Sequence, residues 1–538
     1  MIRKNIYRWH RVTSLIIALP VLLWAISGFM HPLMTNVRPK VGTQWLPPKT
    51  VDSSKLKFLL AGALQNNHIE TISNFRIVSI GDDWFYQVKL PHQNTLQYLS
   101  TQTGKKLKDG DALYARYLAK QFLTGKKEDE KKLPAAADTA AANTQPLNET
   151  EHDCCASAAA FVMSDTTGAS ISNIEIIEAF NSEYKNINRL LPVYKVSFAR
   201  ADGIRIYVET WQDRFAFAMD NRRAVFDTFF ALFHTMSWLN GLGSAKLWIE
   251  IILMLLAAAT TLMGICIFCI TKTKKPSGNS LVRTRNTHRW VSIVVSLFTL
   301  MFTLSGAFHA FEKLTPDTRD DYFVQHEYPA ADLQPDYPKL FTAAAGKLIT
   351  GISIVKIDSS NYWQVTLKPT GNKGAGKPQA PEADLMKNKT VPPPSRMYIN
   401  CSDYVVLPDG EKKYAQELAT NFSRHPASAI LNTAVVTKFE GEYGFVNKRL
   451  PVWKVGYAEN NNERWYVETS TGRLAAKVTD KDLWEGYSFA MLHKHHFMDW
   501  GGKETRDIST MFWAIAQVCM VTVGLVLWQR SRKKHKNS

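Results

Sequence analysis

The sequence predicts an α-helical membrane protein of four transmembrane helices, built by internal duplication and carrying α+β domains outside the membrane. Three observations lead there. Residues 12–30, 247–270, 291–311 and 508–528 are apolar runs, each close to the roughly 20 residues that cross a bilayer core. The mean hydropathy of the whole chain is nevertheless −0.19, so membrane segments must alternate with large water-facing ones. Finally, Leu191-Pro192-Val193-Tyr194-Lys195-Val196 returns 259 residues later as Leu450-Pro451-Val452-Trp453-Lys454-Val455, and at the same spacing Tyr207-Val208-Glu209-Thr210 returns as Tyr466-Val467-Glu468-Thr469.

Taken in chain order, residues 1–34 form the first helix. Its apolar run is long and Gly28-Phe29-Met30-His31-Pro32 offers no small-x-small cleavage site, which argues for a retained helix over a signal peptide. Residues 35–230 are the first outer segment, where Trp84-Phe85-Tyr86-Gln87-Val88-Lys89-Leu90 alternates with the period of a half-buried strand. An extra stretch at about 126–160, rich in Lys, Glu, Ala, Thr and Asn, lacks the apolar surface to fold and reads as a disordered linker. Residues 231–271 hold an entry helix and the second crossing, 272–289 a loop, and 290–312 the third crossing. The second outer segment, 313–488, repeats the strand signal at Tyr362-Trp363-Gln364-Val365-Thr366-Leu367 and carries a Gly, Lys and Pro-rich flexible insertion at about 370–394. Asp109-Gly110 with Tyr114, Leu118 and Phe122 recurs as Asp409-Gly410 with Tyr414, Leu418 and Phe422, so two small α+β units are expected in each outer segment. Residues 489–528 form the last entry helix and crossing, and 529–538 a tail.

Orientation follows from charge. Residues 1–11, 271–289 and the tail contain no acid and hold fifteen of the basic residues, against a net charge of +17. The basic balance is thus a positive-inside signal that places both termini and the 272–289 loop in the cytoplasm, with no need of a nucleic-acid partner.

The histidines carry the chemistry. The first helix of each half matches at a spacing of 278, pairing His10-Arg11 with His288-Arg289, Ser27-Gly28 with Ser305-Gly306, and His31 with His309. At the entry helices His234 matches His493 at 259. His10 and His31 stand 21 residues apart, about 31 Å of helix at 1.5 Å per residue, so one sits at each membrane face. They lie only about 60° apart around the axis, since each residue turns the helix by about 100°. A six-coordinate haem iron needs opposed neutral imidazoles on facing helices and small residues where the ring approaches backbone. His10 with His288 suits one haem. At the other face, His31 with His309, or the crossed pairs His31 with His493 and His309 with His234, remain open, and His495 or His496 could substitute. Gly28 and Gly306, one turn from His31 and His309, would let a flat ring approach, and Arg11 and Arg289 could meet propionates. Haem b, two copies, is the expected cofactor.

The strand pairs ending in Thr103-Gly104-Lys105 and Thr471-Gly472-Arg473, the basic-flanked histidine opening each first helix, and the Phe-His234 and Leu-His493 entries resemble the PepSY-associated transmembrane family over essentially the whole chain. That resemblance implies PepSY-like periplasmic units and a bacterial inner-membrane protein. Some members are haem-containing reductases that deliver electrons to ferric siderophores, which makes an oxidoreductase of iron transport the expected activity. The acceptor would be a ferric siderophore or another periplasmic acceptor, and the donor cytoplasmic or the quinone pool. The alternative is a non-enzymatic binding or regulatory protein acting on a periplasmic peptide, protease or envelope component. Cys266-x-x-Cys269 is read as core packing, because its neighbours are apolar and the other half has no counterpart. His152-Asp153-Cys154-Cys155 is a weak metal candidate. Glu183, Tyr184 and Arg205, with Glu442, Tyr443 and Arg464, are matched polar residues that either bind a ligand or pair within a sheet.

Overall fold

A computed structural model describes residues 2–125, 170–273, 279–315, 323–368 and 390–536. The 126–160 linker with Cys154-Cys155, and most of the 370–394 insertion, lie outside the described residues. The chain divides into a helical unit (Met1–Arg38, Arg222–Thr318, Val478–Ser538) and a strand-rich unit (Pro39–Asn221, Arg319–Lys477).

In the helical unit, four helices are long and apolar enough to cross a membrane. These are α1 (Ile2–Asn36), α5 (Ser244–Ile270), α6 (Ser280–Glu312) and α10 (Gly502–Lys536). A shorter helix precedes the second and the fourth of them: α4 (Asn221–Phe233) and α9 (Asp480–Ser488), the latter opened by a capping box between Thr479 and Asp482 and closed by a π-turn, Phe489–His493. Ile17 and Val21 of α1 pack on Ala257 of α5. Polar threads fasten the helices where apolar surface alone gives no register. Thr260 Oγ1 donates to Thr13 Oγ1 at 2.8 Å, and Arg530 Nη1 to Thr284 Oγ1 at 2.7 Å. Cys266 and Cys269 are exposed free thiols on α5. This corrects the expectation of core packing: the apolar neighbours that suggested a protein core form an outward helix face, which in a membrane protein is as apolar as a core.

The strand-rich unit contains small antiparallel sheets. A three-stranded sheet, β2 (Asn74–Ile80), β3 (Asp83–Lys89) and β4 (Gln97–Ser100), leads into helix α3 (Gly110–Thr124) and a four-stranded sheet of β5 (Ile171–Ile177), β6 (Val193–Phe198), β7 (Arg205–Glu209) and β8 (Arg214–Met219). The second segment runs in the same order: β10 (Ile349–Ile357), β11 (Ser360–Leu367) and β12 (Arg396–Asn400), helix α8 (Gly410–Ser423), then β13 (Ile430–Val436), β14 (Val452–Tyr457), β15 (Arg464–Glu468) and β16 (Arg473–Val478). Short helices α2 (Leu60–Asn66) and α7 (Tyr337–Ala343), and a two-stranded pairing of β1 (Thr71–Ile72) with β9 (Tyr328–Pro329), complete it.

Three cores hold these layers. Tyr114, Leu118 and Phe122 of α3 are buried with Phe85 and Tyr98 on one side and Val196 and Ile206 on the other, so one helix serves both sheets. Tyr414, Leu418 and Phe422 of α8 do the same with Tyr398, Val455 and Val467. A third core joins the two three-stranded sheets through Phe75, Ile77 and Tyr86 against Ile354, Trp363 and Val365. The expected pair of separate units in each segment therefore shares a helix and a core. The three-stranded sheets are covered on both faces, whereas alternation suggested one; Phe85, Tyr86, Gln87 and Val88 are all buried. What made Gln87 and Gln364 look solvent-facing is answered by hydrogen bonds. Gln87 Nε2 donates to Thr210 O at 2.9 Å and Gln364 Nε2 to Thr469 O at 3.0 Å, satisfying the buried amides. The helix starts need glycine: a Cβ on Gly110 would lie 2.8 Å from Tyr98 Cβ, and one on Gly410 2.8 Å from Tyr398 Cβ.

Candidate cofactor site

At the end of the helical unit that carries His10 and His288, α1, α5, α6 and α10 enclose a cavity of about 1870 Å³. That exceeds the roughly 300–1,000 Å³ of ordinary ligand pockets. Both imidazoles line it, and the helix opposite each one has a glycine. His10 Nε2 is 3.2 Å from where a Cβ on Gly264 of α5 would stand, and His288 Cε1 is 3.1 Å from a Cβ on Gly524 of α10. These two glycines, and neither Gly28 nor Gly306, let helices close on the inner histidines. Gly28 has nothing within 4 Å of its would-be Cβ, and Gly306 faces Met254 Sδ at 2.8 Å and His493 Cε1 at 3.8 Å. The signal was present in the sequence as a lone glycine inside each second apolar run.

The cavity rim is cationic, lined by Arg8, Arg11, Arg285 and Arg532. Arg289 also lines it but is already engaged. Its guanidinium donates to Phe268 O at 2.6 Å and to Thr271, and lies 4.3 Å from the Phe268 ring centroid, so it ties α6 to the carbonyls that end α5. Of the two arginines expected to meet propionates, Arg11 is the exposed one.

The other four histidines gather toward the opposite end of α1 and α6, interleaved with phenylalanines. Ring centroids run from His31 to Phe230 at 5.1 Å, Phe230 to His234 at 4.5 Å, His234 to His493 at 6.2 Å, His493 to Phe489 at 4.7 Å, and Phe489 to His309 at 4.3 Å. Ser27 and Ser305, the matched serines, hold His234 Nδ1 at 3.1 Å and His493 Nδ1 at 3.2 Å. The structure thus brings His234 against His493, a pairing that spacing did not single out, and places a ring of Phe230 or Phe489 between each of them and its outer neighbour.

The halves differ in two ways, of which the sequence reading used only the second, the extra histidine at 495. His309 Nδ1 is hydrogen-bonded to Glu485, while 259 residues before Glu485 stands Phe226. His495 is fully buried against Phe298 and Phe302, with Nδ1 at 3.1 Å from Ser509 Oγ and Nε2 without a hydrogen-bond partner among the described residues; Met236 stands 259 residues before it. His496 instead pairs with Asp499 at 2.7 Å.

Among the described residues no three His, Cys, Asp or Glu side chains cluster as ligands for a metal ion. A haem iron held by two axial imidazoles asks less of the protein: two opposed histidines, a wide apolar slot and cations for its carboxylates. The His10/His288 cavity supplies two histidines on matched helices, a wide slot between helices and a cationic lining. The opposite set supplies imidazoles in excess, with phenylalanines filling the space between them.

In the strand-rich unit the matched polar residues pair with one another. Arg205 Nε and Nη2 contact Glu183 at 2.9 and 2.7 Å, and Arg464 Nε contacts Glu442 at 2.9 Å. Lys454 Nζ adds a 2.7 Å contact to Glu442, and Tyr207 and Tyr466 donate to Glu183 and Glu442. Burial alone would raise the Glu183 pKa, but the hydrogen bonds from Arg205 and Tyr207 outweigh it and hold the carboxyl at about 2. These residues brace their sheets, the pairing within a sheet that was one of the two expectations. A search of family models finds none that matches this chain, and a search of curated proteins finds no match either.

Proposed function

We propose that this chain is a multi-pass inner-membrane cytochrome b that passes electrons from the cytoplasmic side to a periplasmic acceptor, a ferric siderophore above all. The single observation that carries the reading is the cavity of about 1870 Å³ with a histidine on each of two matched helices and a glycine facing each imidazole. Haem bound there would supply one-electron chemistry at an iron whose potential the protein sets. His10 and His288 would hold the iron, and Gly264 and Gly524 keep α5 and α10 close enough to orient the imidazoles. The exposed Arg11 and its neighbours at the rim would hold propionates by charge-assisted hydrogen bonds. Two of His31, His234, His309 and His493 would hold the iron of a second haem at the other face, as His31 with His309 or in a crossed pair, with Ser27 and Ser305 hydrogen-bonded to Nδ1 of His234 and His493.

The remaining parts of the reading have separate supports. Duplication is supported by the two segments' identical strand order and by the paired roles of Gln87 and Gln364, Gly110 and Gly410, and Ser27 and Ser305. The resemblance to the PepSY-associated transmembrane family rests on the sequence motifs alone. The cytoplasmic assignment of the His10 end is supported by Arg8, Arg11, Arg285 and Arg532, all at that cavity.

The full chain, purified in detergent after expression with ample haem, tests this. Expected are b-type absorption bands on reduction and a haem content that falls in His10→Ala and in His288→Ala. A colourless preparation, or haem content unchanged in both variants, would overturn the assignment.

A further inference from the structure

Across the four apolar runs, 12–30, 247–270, 291–311 and 508–528, Glu250 is the single Asp, Glu, Lys or Arg. A charged side chain within a membrane helix is costly, and where one is kept it faces the bundle interior and marks function. Glu250 does face inward: it is 9% exposed, whereas Ile249 and Ile252 beside it on α5 are 36% and 59% exposed. It is not a copy made by duplication either, because Ser509 stands 259 residues on.

Its surroundings tie it to the His31, His234, His309 and His493 set. One turn further along α5, Met254 Sδ lies 2.8 Å from where a Cβ on Gly306 would stand, and His493 Cε1 lies 3.8 Å from the same point. Lys313, which directly follows α6, acts electrostatically on Glu250, on Glu485 of α9 and on His234. Glu485 is in turn hydrogen-bonded to His309. The charges acting on Glu250 are thus Lys313 and, on its own helix, Lys246, with Glu485 behind Lys313. Lys246 does not commit it, since its Nζ is 3.8 Å from Oε1, beyond hydrogen-bonding distance, and donates instead to Asn240 Oδ1 at 2.8 Å. Oε1 is buried with no hydrogen-bond partner among the described residues. An anchoring ion pair would close that gap. A carboxyl that changes between anion and neutral acid would not, because a fixed hydrogen bond favours one form over the other.

We propose that Glu250 is the proton-binding site of this end of the bundle, taking one proton from water for each electron that arrives at the neighbouring histidines. The inference rests on the electron-transfer reading above. An electron in a low-dielectric interior is stabilised by positive charge brought close to it, and a proton on a nearby carboxylate brings that charge. On reduction, one electron goes from the donor to the haem iron and one proton from water forms an O–H bond on the Glu250 carboxylate. When the acceptor takes the electron, that bond breaks and the proton returns to water, so the net charge is the same before and after each transfer.

Redox titrations of the haem-loaded full chain in detergent, repeated between about pH 5 and about pH 9, test this. Expected is one haem whose midpoint potential falls by up to about 59 mV for each tenfold drop in proton concentration, the value for one proton per electron. That slope should disappear in Glu250→Gln with haem content unchanged. Glu250→Asp keeps a slope because a carboxyl is retained, and Lys313→Gln displaces the pH range in which it appears. A residue that only pairs with Lys246 or Lys313 would change stability or haem content on substitution and leave the slope as it was. A slope that persists in Glu250→Gln, a pH range unmoved in Lys313→Gln, or potentials independent of pH in the unaltered chain would overturn the site and leave the reductase reading standing. A colourless protein would remove both.

Discussion

Glu485 differs from its first-half counterpart in what it does to a histidine. By hydrogen-bonding His309 Nδ1 it makes that imidazole a stronger donor than His31, whose half has Phe226 in the equivalent place. If His309 ligates iron, the carboxylate favours the oxidised metal. Glu485→Gln should then move the midpoint potential of one haem in the positive direction, by about 60 mV for a tenfold weakening in a one-electron couple; a redox titration showing both haems unmoved would place Glu485 outside the site. Charges in the strand-rich unit titrate instead in stability. Glu183 is held at about 2 against an ordinary 4.5, so its contribution is complete above pH 4.5 and is lost as pH falls towards 2. Glu183→Gln should cost about 1–3 kcal/mol at pH 7 and much less near pH 2, measured by denaturant unfolding. Lys89 has the opposite slope: with a folded value of about 8 below an ordinary 10.5, the folded state holds fewer protons than the unfolded one in between. Stability therefore rises with pH across that window, and Lys89→Gln flattens the rise.

Elements were legible where one physical signal dominated. Four runs of apolar residues can only be helices in lipid, because every backbone polar group must be satisfied within the segment, and α1, α5, α6 and α10 follow them. Strand positions were visible too, but the number of covered faces was not, since Gln87 and Gln364 are buried amides that look like surface residues until Thr210 and Thr469 supply their partners. In the candidate site, six histidines stood out through matched spacing, whereas their nearest neighbours did not. Which helix face meets an imidazole depends on rotation and crossing of helices, and no spacing reports it. Gly264 and Gly524 are the consequence, and they carry a direct test. Gly264→Leu would drive a side chain into the space that His10 Nε2 approaches to 3.2 Å of the Cβ position. It should lower haem content at the inner site while leaving the strand-rich unit folded. Gly28→Leu, with open space around it, should change haem content little, and a larger loss in Gly28→Leu than in Gly264→Leu, read by absorbance per protein, would put the slot elsewhere.

For the whole molecule, the decisive question is which surface meets lipid. The helical unit exposes Ile16, Leu19, Ile252, Leu255, Val294, Leu297 and Phe512, a coat of apolar side chains that water would not tolerate and a bilayer accepts. Aromatic residues with polar edges flank it: Trp9 and Trp290 near the cationic end, Trp238 and Trp500 near the ends where α5 and α10 begin, as in the belts at membrane–water boundaries. Cys266 and Cys269 sit on this coat as exposed free thiols. In water both would react with any thiol reagent. In lipid the reaction depends on whether the reagent enters the membrane, because a thiol held among acyl chains does not meet a charged electrophile. With Cys401 and Cys519 replaced by serine and Cys154 and Cys155 by alanine, the protein in native membranes should resist a charged maleimide, react with a membrane-permeant uncharged one, and become reactive to both once unfolded in detergent. Full labelling by the charged reagent in intact membranes would place α5 in water and remove the ground for reading the four helices as a membrane unit.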